Sequence, residues 1–162
     1  MKTKKLTLSA MFIALGVLSS SLIYIPVGAS KCFPVQHAIN VICAVLLGPI
    51  YSVLIAFCIA LIRNLLGTGS IMAFPGSMVG AFLAALLYNK TKKTLWAAIG
   101  EIIGTGILGG LIAMVMAKVI LGNEVAALFY VFPFIISSIG GTIIGLLILK
   151  STELLRLSKR FD

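Results

Sequence analysis

The sequence predicts an all-α membrane protein of six transmembrane helices with both termini cytoplasmic. Three observations carry this: the composition, the spacing of the turn signals and the placement of the positive charges. Of 162 residues, 60% are hydrophobic and only 10% charged, and the mean hydropathy is +1.19. Soluble domains carry about 25% charge, and disordered chains combine low hydrophobicity with high charge, so neither class fits. A crossing helix needs about 20 apolar residues, so six use roughly 120. What remains serves loops and tails, and residues 1–162 read as one integral-membrane domain.

Span one runs from Leu6 to Ile25 and is closed by Pro26 and Gly28. Its basic start followed by an apolar stretch resembles a signal peptide. It stays apolar too long for one, and reads as a retained first helix. A polar loop broken by Pro34 leads to span two, Gln36 to Leu47, which is short for a full crossing. Gly48-Pro49 turns the chain into span three, Ile50 to Leu66. The segment GTGSIMAFPGS reads as a loop whose glycines, Gly67, Gly69 and Gly76, leave it free to move. Span four covers Pro75 to Tyr88, the basic linker NKTKK follows, and span five covers Leu95 to Leu121. A turn at Gly122-Asn123-Glu124 precedes span six, Ala126 to Leu149, and a basic tail closes the chain.

Six spans divide the 13 Lys and Arg residues unevenly. Lys2, Lys4, Lys5, Lys90, Lys92, Lys93, Lys150, Arg156, Lys159 and Arg160 fall on one side; Lys31, Arg63 and Lys118 fall on the other. By the positive-inside rule the first side is cytoplasmic. The net charge of +9 therefore reports orientation and anionic lipid rather than nucleic acid. Small residues recur at four-residue spacing, in Ala10/Ala14, Gly76/Gly80, Ala81/Ala85, Gly100/Gly104, Gly106/Gly110, Ala113/Ala117 and Gly141/Gly145. Such pairs share a helix face and let helix backbones approach closely in lipid. No internal repeat of the kind found in secondary transporters is evident.

Several chemistries lack their residues. There is no P-loop motif, no H-E-x-x-H, and one histidine, too few for a bis-histidine haem. Cys32, Cys43 and Cys58 have neither metal nor redox spacing, and read as small apolar filler. A Ser77–His37 hydrolase rests on residue identity alone. The chain reads as a non-enzyme with no cofactor and no metal site.

Polar residues within spans are costly and point to function. Most collect toward the non-cytoplasmic side: Lys31, Gln36, His37 and Asn40, then Arg63, Asn64, Thr68, Ser70 and Ser77, then Lys118, Asn123, Glu124 and Tyr130. Phe33, Phe74 and Phe132 lie beside them as flat apolar surfaces, and together they could form a small-molecule pocket. For Lys31 and Lys118, snorkelling to the interface is the plainer reading. Arg63 ends a long apolar run and needs a partner or a wet cavity. His37 and Asn40 are three apart on one helix face and can address one cavity. Glu101 lies two turns into span five, where it either touches a ligand from below or is structural. Trp96 is an interfacial anchor.

Six short spans, basic ends and no ATPase motif resemble the substrate-binding S components of energy-coupling factor (ECF) transporters. Ala10 and Ala14 in SAMFIALG are similar to the Ala-x-x-x-Ala motif that docks these proteins to their coupling subunit. KCFPVQHAINVICAVLLGPIYSVLIAF and LIRNLLGTGSIMAFPGSMVGAFLAALLY resemble the ThiW family of S components. The likeness is close from Lys31 to Tyr88, and holds elsewhere in hydropathy and length. It implies capture of the thiamine precursor hydroxyethylthiazole, a small neutral heteroaromatic substrate. It also implies a transmembrane coupling subunit and two cytoplasmic ATPases as partners. The expected substrate residues are Gln36, His37, Asn40, Arg63, Asn64, Ser70, Phe74, Ser77, Glu101 and Tyr130, with Ala10 and Ala14 for docking. With so few acidic residues, the chain favours a neutral or anionic ligand over the thiamine cation. A stand-alone transporter or channel, an S component for another thiamine-related compound, and a structural membrane protein are the competing readings.

Overall fold

Five prolines punctuate the chain, and four of them open helices. The computed structural model describes residues 2–27, 30–122 and 129–151. Helix α1 (Lys2–Leu22) leads into an antiparallel hairpin of β1 (Ile25–Val27) and β2 (Ser30–Cys32). Then come α2 (Pro34–Leu46), α3 (Pro49–Leu65) and α4 (Ala73–Thr91). A fifth rod runs without a break through α5 (Thr94–Glu101), a π-helical segment (Ile102–Gly109) and α6 (Gly110–Leu121). Helix α7 (Val131–Ser151) is the sixth rod. Pro34 and Pro49 occupy the first positions of α2 and α3. Pro75 and Pro133 lie in the first turns of α4 and α7. First-turn N–H groups have no intrahelical acceptor, so proline forfeits nothing there.

Three expectations are corrected. Span one ends at Leu22, not Ile25, because Ile25 pairs with Cys32 in the hairpin, and Pro26 sits opposite Lys31. A three-residue strand containing proline has no periodicity to reveal it, and a two-stranded ribbon places proline on an edge. Span four begins at Ala73, inside the segment read as a loop. The glycines of that segment also have fixed duties. Gly67 takes φ 71, and a Cβ on Gly69 would stand 2.9 Å from the Asn64 nitrogen. Gly76 lies within α4 under the Phe134 ring. The expectations that fall on Gly28, Asn123, Glu124, the start of span six at Ala126 and the basic tail beyond Ser151 lie outside the described residues.

Helix α2 is the hub. All of it but Val35 is buried, and it packs against α1, α3, α4, α5 and α7. Its 13 residues make roughly 20 Å of helix at about 1.5 Å per residue, less than a bilayer core. Six of the seven small-residue pairs are buried in helix contacts. A Cβ on Gly104 would stand 2.6 Å from the Gly80 Cα, and one on Gly100 2.7 Å from the Leu83 carbonyl. Gly141 and Gly145 face the backbone of α2, and Gly106 and Gly110 face α7. Only Ala10 and Ala14 lie on an open face, beside exposed Leu6, Met11, Leu15 and Leu18.

The distribution of polarity is that of a protein in lipid. Gln36, His37, Asn40, Arg63, Ser77, Glu101, Thr105 and Ser138 are buried, while large apolar side chains cover the outside of α1, α3, the fifth rod and α7. Burying the polar groups and exposing the apolar ones is favourable only where the surroundings are hydrocarbon. The helices Thr94–Ile120 and Val131–Ser151 are long and apolar enough to cross a membrane by length and composition.

Candidate functional site: a cavity at one end of the bundle

Successive rods alternate in direction, so the turns gather into two sets. One set holds the β1–β2 hairpin, the α3–α4 loop and the start of α7. A cavity of about 510 Å³ opens among them, with Phe33, Gln36, His37, Arg63, Tyr130 and Phe134 in its lining. That volume lies within the roughly 300–1,000 Å³ typical of small-molecule pockets. The opposite end carries Lys2, Lys4, Lys5, Lys90, Lys92 and Lys93.

The hairpin is fastened over the cavity. The Phe33 N–H donates to Ser137 Oγ at 2.8 Å, and Cys32 Sγ lies 3.2 Å from the Pro133 carbonyl. Both bonds tie the chain before α2 to α7. Lys31 lies over the Tyr24 ring at 4.6 Å, on the same ribbon.

Arg63 forms the floor beside the α3–α4 loop. It is 1% exposed and stacks its guanidinium on Phe33 at 3.9 Å. It donates to Gln36 Oε1 through Nη1, and to the Thr68 carbonyl through Nη2 at 3.1 Å. The loop in turn wraps the end of α3. The Thr68 and Gly69 N–H groups both donate to the Arg63 carbonyl at 2.9 Å. Asn64 Nδ2 donates to the Ala60 carbonyl at 2.8 Å and the Ser70 carbonyl at 3.1 Å. No acidic side chain pairs with Arg63 among the described residues.

Behind the floor lies a second polar group, centred on Glu101. Its Oε1 accepts from His37 Nδ1 at 2.8 Å and from Asn40 Nδ2 at 2.9 Å, with Thr105 Oγ1 also at 2.9 Å. The Thr105 hydroxyl is 3.0 Å from the Gly76 carbonyl as well, and its single proton serves one acceptor at a time. Asn40 Nδ2 reaches the Ser77 carbonyl at 3.2 Å. Two acceptors on that side fix the amide orientation of Asn40. Glu101 ends α5, and Thr105 follows in the π-helical segment. Isolated π-helical turns occur often at functional sites. No cluster of three or more His, Cys, Asp or Glu suited to a metal ion occurs among the described residues.

The sequence profile of the thiamine-precursor transporter protein family, ThiW, matches residues 6–154. The chain belongs to the ThiW family. No individual curated protein matches it. Membership makes this ThiW chain a thiamine-precursor transporter of the membrane.

Of the ten expected substrate residues of this ThiW protein, Gln36, His37, Arg63, Ser70, Ser77 and Tyr130 line the cavity. Asn40 and Glu101 stand behind His37, held to each other. Asn64 shapes the loop, and Phe74 packs its ring against Phe57 at 5.7 Å. Sequence reasoning missed Tyr24, Phe134 and Thr105, which also line the cavity. Phe134 and Thr105 each had a signal available. Phe134 lies four residues after Tyr130, on one helix face. Thr105 lies four residues after Glu101 on the fifth rod. Phe132, expected beside the pocket, is exposed on the outside of α7.

Proposed function

We propose that this ThiW chain is the substrate-binding S subunit of an ECF-type vitamin importer, and that it captures hydroxyethylthiazole from outside the cell. The observation that carries the reading is the cavity itself. Aromatic rings beside the hairpin and at the start of α7 line the same small-molecule-sized cavity as hydrogen-bonding groups from α2 and α3. Phe33, Tyr130 and Phe134 would take the faces of the thiazole, and Gln36, His37 and Arg63 its hydroxyl and ring nitrogen.

Six crossings with cytoplasmic termini give the cavity its direction. The cavity lies at the end opposite the lysine-rich turns, and the positive-inside rule turns those turns inward. The cavity then faces the side from which a nutrient arrives. Energy would come from a transmembrane coupling subunit and two cytoplasmic ATPases. Ala10 and Ala14 support such docking, being the one small-residue pair that the bundle leaves uncovered.

Calorimetric titration of the detergent-purified chain with hydroxyethylthiazole, with thiamine and riboflavin as comparators, tests the substrate. The thiazole is expected to bind, and the cationic thiamine to be rejected by a cavity that carries Lys31 and Arg63. Binding of thiamine without the thiazole would refute the assignment. Replacing Ala10 and Ala14 together by Trp tests the partner. Capture of the coupling subunit should be lost while the isolated chain keeps its melting temperature, since both positions are exposed. Intact assembly in that variant would remove the docking role.

A further inference from the structure

Among the described residues, the buried side-chain hydrogen-bonding groups left without partners fall into two kinds. At the cavity floor, Arg63 Nε and Gln36 Nε2 are buried donors with no acceptor. Deeper in the bundle, Glu101 Oε2 and Asn40 Oδ1 are acceptors with no donor. Arg63 and Gln36 both belong to the cavity lining, and the unmet groups of these two side chains are both N–H. Arg63 is 1% exposed and Gln36 2% exposed, and both line the cavity.

The charges lean the same way. Lys31 and Arg63 line the cavity, and no Asp or Glu among the described residues does. Gln36 spends its only acceptor, Oε1, on Arg63. Phe33 stacks on the guanidinium with a ring that offers no hydrogen bond. A buried guanidinium with unspent N–H groups and no counter-charge is expensive. A ligand that brings an acceptor-only, negatively charged group removes that cost, through charge-assisted hydrogen bonds that are about twice as strong as neutral ones.

We infer that the cavity takes its thiazole in an oxyanion-bearing form, with a carboxylate or phosphate monoester on the ring's substituent seated against Arg63 and Gln36. This rests on the thiazole reading for the ring and adds the charge of its side arm. Arg63 then selects for the anion, while the aromatic walls select for the ring.

The test is titration of the purified full-length chain, at neutral pH, with three probes: hydroxyethylthiazole, its phosphate monoester and a methylthiazole carboxylate. At least one anion should bind about tenfold or more tighter than the alcohol, and the tighter of the two identifies the oxyanion. Arg63→Gln should erase that preference, and Arg63→Lys should keep part of it. A preference that survives Arg63→Gln overturns the assignment to Arg63. Equal or tighter binding of the neutral alcohol overturns the inference and leaves the thiazole reading standing. Failure of all three to bind folded protein overturns both. The wild-type comparison alone decides the charge question if the Arg63 variants do not fold.

Discussion

Glu101 is the residue whose removal the structure prices most directly. It is fully buried, and its Oε1 is the shared acceptor for His37 from α2, Asn40 from α2 and Thr105 from its own rod. In Glu101→Ala, His37 Nδ1 loses its acceptor at 2.8 Å. Asn40 Nδ2 keeps the Ser77 carbonyl, and Thr105 keeps the Gly76 carbonyl, so those two losses are partial. One full and two partial losses, each worth about 1–3 kcal/mol when a buried group is stranded, sum to about 3–5 kcal/mol. For a chain of this length that corresponds to a fall in melting temperature on the order of 10 °C. Glu101→Gln keeps an oxygen for His37 and Asn40, but puts an NH2 group where Oε2 now has no partner. It should fall between the parent and the alanine variant. The assay is thermal unfolding in detergent followed by circular dichroism, with ligand titration on the same samples. His37 lines the cavity and is oriented from behind by Glu101, so affinity should fall with stability in the same order. A Glu101→Ala protein that melts with the parent and binds as the parent does would show that Glu101 holds nothing in place.

Gly104→Ala places a methyl group 2.6 Å from the Gly80 Cα, where only backbone can yield, and should cost about 1–3 kcal/mol. Gly140→Ala, with only the Pro34 Cβ nearby at 3.5 Å, should melt with the parent, and a thermal-shift comparison of the two checks the contact. Asn64→Ala removes the side chain that joins α3 to the Ser70 carbonyl; ligand affinity should drop, with faster proteolysis at the α3–α4 loop as the second readout. Phe33→Ala takes away the ring stacked on Arg63, a contact worth about 0.5–2 kcal/mol, and should weaken ligand binding by roughly tenfold in calorimetry.

The fold and the candidate site were not equally legible in the sequence. Helix number, order and rough limits followed from apolar length and turn residues, because lipid demands long apolar runs. The four-residue spacing of Gly and Ala marked real helix contacts, since close backbone approach needs small residues wherever it occurs. Gly100/Gly104 against α4 and Gly141/Gly145 against α2 are such contacts. The hairpin escaped detection because three-residue strands carry no pattern. The rotation of each helix also escaped. His37 and Asn40 share a face, yet His37 lines the cavity while Asn40 and Glu101 bond behind it. Spacing names the face, but only packing says what stands opposite.

That limit explains why Asn64 and Phe74 were expected at the ligand. Both lie in polar or aromatic surroundings at the cavity end of the bundle. Asn64 is one residue from Arg63, and on a helix adjacent residues point about 100° apart. Arg63 therefore turns inward, to Gln36 and Phe33, while Asn64 turns to the loop. The same geometry makes the floor of the cavity and its loop one unit. The Arg63 backbone carbonyl accepts from Thr68 and Gly69, and its side chain donates back to the Thr68 carbonyl. A group that draws the guanidinium toward the cavity must therefore pull on the loop at the cavity's edge. Arg63, proposed to read the ligand's charge, and the segment that borders the opening are coupled through that residue's backbone and side chain together.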